Sequence, residues 1–167
     1  MDPAELARNG LPATFFDELV GACREVYGNR LVTVAVYGSE GRGTARPDSD
    51  VDLLVVAEGL SERRLARVDE FQAVEARLGL GSLEGAAGDR ALSPIFKTPE
   101  EARAGSLLFL DMIEDARILF DRGGFFRQEL DRLRQRLDRL GSRRIWLGSA
   151  WYWDLKPDFK PGDVIEL

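Results

Sequence analysis

The sequence predicts one α+β domain (α/β-like), a small mixed sheet flanked by helices with further helices toward the C-terminus. Three observations carry that prediction. The chain has 167 residues, the length of one ordinary domain and enough to bury a core. Two short apolar runs, Leu31–Tyr37 and Val51–Ala57, read as strands on either side of a glycine-rich connection. Helical periodicity occurs before, between and after the strands, and such alternation places helices against a sheet.

The first helix is expected from Thr14 to Tyr27, where Phe15, Phe16, Leu19, Val20, Ala22 and Val26 recur at helical spacing between Pro12 and Gly28. A second follows from a cap at Ser61 through Leu65, Val68, Phe71, Val74 and Leu78 to the break at Gly79-Leu80-Gly81. Ala91–Phe96 reads as a third strand, and Pro94 within it requires an edge, because proline cannot donate to a ladder. From Glu100 to about Phe120 the pattern reads as helix, and again from Phe125 to about Leu140, where Leu130, Leu133, Leu137 and Leu140 form a stripe. That last helix sets Arg127, Arg132, Arg134, Arg136 and Arg139 among Asp131 and Asp138, the pattern of a solvated, ion-paired face. The tail carries Trp151, Tyr152, Trp153 and Phe159 beside Pro157 and Pro161, a segment expected to dock on its own domain or on a partner. The whole is one domain over 1–167, with the sheet portion at about 12–98 and C-terminal helices and docking tail at about 99–167.

Composition then narrows the chemistry. At 44% hydrophobic and 31% charged, the chain is neither disordered nor a membrane protein, and no stretch approaches the roughly 20 apolar residues of a span. A net charge of −6 weighs against a nucleic-acid surface. The single cysteine, Cys23, excludes an internal disulfide and leaves a cytoplasmic setting as the expectation. The chain has no histidine, which removes Ser-His-Asp and Cys-His mechanisms and histidine-ligated zinc. Catalysis is left to carboxylates, hydroxyls, Arg or Lys, with a hard cation such as Mg2+.

The informative stretch runs from Val36 to Val56. Gly38 follows the first strand and lets phosphates approach the backbone, and the N–H groups from Ser39 onward open a short helix whose positive end favours an anion. Asp50 and Asp52 are two apart, so both carboxylates leave the same face at the start of the second strand. Leu54 and Val56 continue that face as core, and Val51, Leu53 and Val55 fill the other. A carboxylate pair held this close calls for a divalent cation, which makes Asp50 and Asp52 the metal-binding and catalytic candidates. Gly38, Ser39 and Arg42 are the nucleotide-binding candidates, and Arg46 offers a further phosphate contact. Gly-Ser turns and strand-edge aspartates are each common, so it is the combination that carries the reading.

That combination resembles the DNA polymerase β-like nucleotidyltransferase superfamily, in its minimal nucleotidyltransferase branch, whose signature is Gly-Ser, ten residues, then Asp-x-Asp. Here Gly38-Ser39 is followed by ten residues, Glu40 to Ser49, and by Asp50-Val51-Asp52. The likeness is direct over about residues 31–57, and the helix–strand order agrees to about Thr98. The stretch Asp111–Asp121 also looks like the helix that closes many such small domains. The resemblance implies a nucleotidyltransferase fold, magnesium at Asp50 and Asp52, and a nucleoside triphosphate, ATP above all, at Gly38 and Ser39. It implies transfer of a nucleoside monophosphate to a hydroxyl of a protein or small molecule, with pyrophosphate released. Members of the branch are often antitoxins paired with a HEPN-type helical partner, which implies such a partner as a separate chain and leaves a homo-oligomer open. Active members also carry a third carboxylate on a neighbouring strand. The expected third strand has none, and Asp89 and Glu84 are the nearest candidates. Without a third acid the alternative is a binding module, antitoxin-like, with little or no turnover.

Overall fold

The structure is a computed structural model that describes residues 11–80, 90–148 and 150–165. Helix α1 (Ala13–Tyr27) begins after Pro12 and closes at Gly28, whose φ of 55° suits glycine, and it buries Phe15, Phe16, Leu19, Ala22, Cys23 and Tyr27. Burial pushes the Cys23 thiol up to about 12. Strand β1 (Leu31–Val36) is buried at every residue. The short helix α2 (Gly38–Gly41) follows it and leads by a polar loop to β2 (Val51–Ala57). Helix α3 (Arg64–Arg77) then crosses to β3 (Leu92–Lys97).

The sheet has the order β3-β2-β1-β4, where β4 is Arg117–Asp121. β1 runs antiparallel to β2 and to β4, and β2 runs parallel to β3, so the sheet is mixed, as expected. β3 lies at an edge, the place Pro94 requires. One sheet face packs Val51, Leu53 and Val55 against Phe15 and Leu19 of α1 and Phe71 and Val74 of α3. The other packs Leu54 and Val56 against Phe109 and Met112 of α5 (Leu108–Asp115) and Phe126 and Leu130 of α6 (Phe125–Leu140). The two faces of β2 are thus divided as its alternation predicts.

The helix expected over 100–120 is not one helix. It resolves into α4 (Pro99–Arg103), α5 and β4. Gly105, at φ 82°, parts the first two, and Ala116, in extended backbone, turns the chain into β4. Ile118-Leu119-Phe120 is a continuous apolar run, which periodicity cannot assign to helix or strand, and pairing with β1 decides it. The sheet therefore extends past residue 98. The start of α3 also differs from expectation: Arg63, not Ser61, stands at its cap, and the Ser61 hydroxyl accepts from the Arg63 N–H. Leu65 is 77% exposed, and Arg67 takes the inward position.

Arg67 is held there by Glu101, whose two carboxylate oxygens accept at 2.7 Å each, and by the Phe96 carbonyl at 3.2 Å. Glu101 also closes a capping box with Thr98 at the start of α4. Beyond α6, β5 (Arg143–Leu147) and β6 (Ala150–Asp154) form a separate antiparallel hairpin. The indole N–H groups of Trp151 and Trp153 both donate to Asp111 on α5, at 2.8 and 3.2 Å. The aromatic tail thus docks on its own domain. The arginine face of α6 is solvated and locally paired, Arg132 with Glu129 and Arg134 with Asp131.

The Arg67 fork holds the Glu101 carboxyl at about 2, down from 4.5. A carboxyl depressed in the folded state stabilises above its unfolded value, and that contribution fades as pH falls from 4.5 toward 2. Glu101→Gln is expected to lower the melting temperature by a few degrees at pH 7, and the gap to the native protein is expected to close between pH 4.5 and 2 in thermal melts.

Candidate functional site

The site begins where β1 ends. The Tyr37 N–H donates to the Asp52 carbonyl at 3.1 Å, so the chain enters α2 directly beside the first turn of β2. Gly38 adopts φ +62°, and a Cβ built there would lie 2.2 Å from Asp52 Oδ2. Only glycine allows the backbone this close to the carboxylate. At the far end of α2, a Cβ on Gly41 would lie 2.0 Å from the Asp115 carbonyl oxygen, so α2 is wedged between β2 and the end of α5.

Between those glycines, Glu40 turns inward. Its carboxylate accepts from Arg90 at 2.8 Å, with the two side chains 4% and 5% exposed, and from the Leu11 N–H at 3.3 Å. Arg90 also donates to the Ser49 carbonyl at 2.6 Å, and Val51 N–H to the Ala91 carbonyl at 2.9 Å. One buried ion pair thus ties α2 to the loop that delivers Asp50. Sequence reasoning missed this pair, because Glu40 falls among the unspecified residues of the spacing and no local period links it to Arg90.

Asp50 is exposed and Asp52 is half-buried at the mouth of β2. Burial pushes the Asp52 carboxyl above the usual carboxylate range, the Asp50 charge adds to that, and Arg42 opposes it. Burial, and then Asp52, push the Tyr37 hydroxyl up to about 12. The structure therefore brings Gly38, Asp50 and Asp52 together, with Ser39 next on α2. Two hard oxygen donors that repel one another at the mouth of β2 are a donor set that fits a divalent cation such as magnesium.

The third acid is another matter. In the parallel β2–β3 register, Ser93 stands opposite Asp52, and β3 carries no carboxylate. Asp89 and Glu84 lie outside the described residues. Among the described residues no group of three or more His, Cys, Asp or Glu is placed to hold a metal. Arg42, expected to meet phosphate, donates to Asp115 Oδ2 at 3.0 Å and lies over the Trp151 ring at 4.9 Å, while keeping 28% of its side chain exposed. Arg46 is exposed, its N–H on the Ser49 hydroxyl.

A model of the nucleotidyltransferase domain matches residues 17–120. The chain belongs to that family. A relative from Methanocaldococcus jannaschii, named "Putative protein adenylyltransferase MJ1305", is 30% identical over 124 residues, 71% of this chain and 78% of the relative. Among solved structures, a toxin-antitoxin with AMP-PNP aligns at 14% identity and TM-score 0.46, over 75% of this chain and 92% of the other. A tri-AMPylated HEPN toxin from Shewanella oneidensis in complex with MNT antitoxin aligns at 14% and 0.45, over 77% and 91%. In this nucleotidyltransferase the hairpin of β5 and β6 lies wholly beyond the matched residues. No helix among the described residues is long and apolar enough to cross a membrane.

Gly38→Ala is expected to lose about 1–2 kcal/mol in denaturant unfolding from the left-handed backbone alone, and to displace the Asp52 carboxylate that its Cβ would meet, while circular dichroism still shows a fold. Arg90→Met, which strands the buried Glu40 charge, is expected to cost about 3–5 kcal/mol in denaturant unfolding.

Proposed function

We propose that this nucleotidyltransferase binds the magnesium complex of a nucleoside triphosphate, ATP above all, and transfers the nucleoside monophosphate to a hydroxyl of a protein or small molecule. The observation that carries this is the close approach of Gly38 to Asp52, with Asp50 beside it, because it sets a bare backbone cradle against a carboxylate pair. The N–H groups of Gly38 and Ser39 receive phosphate oxygens. Asp50 and Asp52 would hold the cation, which when bound would neutralise triphosphate charge and stabilise charge on the transferred group. The acceptor oxygen bonds to the α-phosphorus as the bond from that phosphorus to the bridging oxygen breaks. Pyrophosphate leaves with the electron pair, and the acceptor proton passes to water. Catalysis here is positioning and electrostatics. The name of the archaeal relative supports ATP as donor and protein as acceptor. A cytoplasmic setting belongs to the same reading.

Ser93 at the register position of Asp52 favours a second reading. In it the domain keeps the nucleotide site but works as an antitoxin-like binding module for a HEPN-type helical protein.

Labelled ATP with magnesium, with and without the protein product of the neighbouring gene, separates the two. Transfer is expected, falling about a hundredfold or more in Asp50→Ala and vanishing when EDTA removes the metal. Binding of that protein without transfer, retained in Asp50→Ala, would establish the module instead.

A further inference from the structure

We propose that the C-terminal hairpin completes the polyphosphate site. In this proposal Arg144 of β5 and Trp151 of β6, acting with Asp115, hold Arg42 as the cation that meets the nucleotide's phosphates. The inference rests on the nucleotide reading above and adds a positioning role for residues beyond the matched family region.

Asp115 is 7% exposed at the end of α5 and accepts from two guanidiniums. Arg42 reaches its Oδ2 at 3.0 Å, and Arg144 its two oxygens at 3.3 and 3.2 Å. A buried carboxylate paired with Arg42 alone would make a neutral couple with little field for an anion. Arg144 is only 12% exposed, and its second positive charge leaves Asp115 and its two arginines at +1 among the three. Of the two arginines Arg42 is the more exposed, at 28% of its side chain, so it is the one a ligand can reach.

Trp151 fixes where that charge sits. Its ring lies 4.9 Å from the Arg42 guanidinium carbon and 4.0 Å from that of Arg144, and its N–H is anchored on Asp111. Arg42 in turn follows α2 immediately, its N–H on the Gly38 carbonyl at 3.1 Å, while Gly41 packs on the Asp115 backbone. The cluster and the Gly38 backbone are therefore packed as one unit. The Arg42 charge is felt at Asp52, where it opposes the effect of burial. An arginine held this way presents a planar fork suited to phosphate oxygens.

The test compares binding of magnesium-ATP and of AMP by calorimetry, with melting temperatures alongside. Arg144→Gln is expected to weaken ATP about tenfold and AMP far less, because the lost field acts on the polyphosphate tail. Arg144→Lys, which restores the charge, is expected to recover most of the ATP affinity and serves also if Arg144→Gln does not fold. Arg42→Gln is expected to give the same selective loss, and the double variant no more than either single one. Equal weakening of ATP and AMP, a Lys variant no better than Gln, or additive losses in the double variant would reduce the hairpin to a docked terminus and overturn the proposal. Asp50→Ala keeps the two ideas apart. If it binds magnesium-ATP like the native protein, the nucleotide reading fails; if it does not and Arg144→Gln keeps the native ratio of ATP to AMP affinity, only the hairpin proposal fails.

Discussion

The geometry of the site depends on an absent methyl group. Because Gly38 has no Cβ, the chain leaving β1 can run against the Asp52 carboxylate, and no other residue leaves room for that approach. The antiparallel register of β1 and β2, with Val36 opposite Leu53, delivers Tyr37 to Asp52 and so puts the cradle beside the acids. A slip of one residue would turn Asp52 into the apolar layer beneath α1 and α3. Register, glycine and acid are thus a single constraint, enforced by the buried faces of β2.

A helix of four residues has no stability of its own. α2 is kept in place by a buried acid on either side. Glu40 within it is matched by Arg90, and Asp115 against it by Arg42 and Arg144. Each acid would be costly to bury alone, and each is tolerable because a guanidinium meets it with hydrogen-bond geometry. The consequence is that the local structure around α2 is fixed by residues distant in sequence.

That is also where sequence reading reaches its limit. The strands β1 and β2 and the division of β2 into two buried faces leave local signatures of period two that the structure shows, and the fixed spacing from Gly38 to Asp52 ends in their close approach. β4 leaves none, because Ile118-Leu119-Phe120 follows a true helix without a glycine or proline between them. The inward Arg67 and the outward Leu65 reverse the expected stripe, because the partner that decides between them, Glu101, lies on another element. The docking of the aromatic tail follows from composition, but its destination, one oxygen of Asp111, does not. Arg42 was visible as a cation near the cradle, and its tether to Asp115 was not.

Cys23 gives the molecule a property unrelated to phosphate chemistry. It is the chain's one thiol, fully enclosed in α1 against the sheet and held protonated by burial. Alkylating reagents need the thiolate and an open path to it, so the native molecule is silent toward them. Any labelling of Cys23 clocks the detachment of α1 from β1 and β2. A cysteine introduced on the surface would be the sole reactive one, which makes the chain a ready carrier for a single spectroscopic probe.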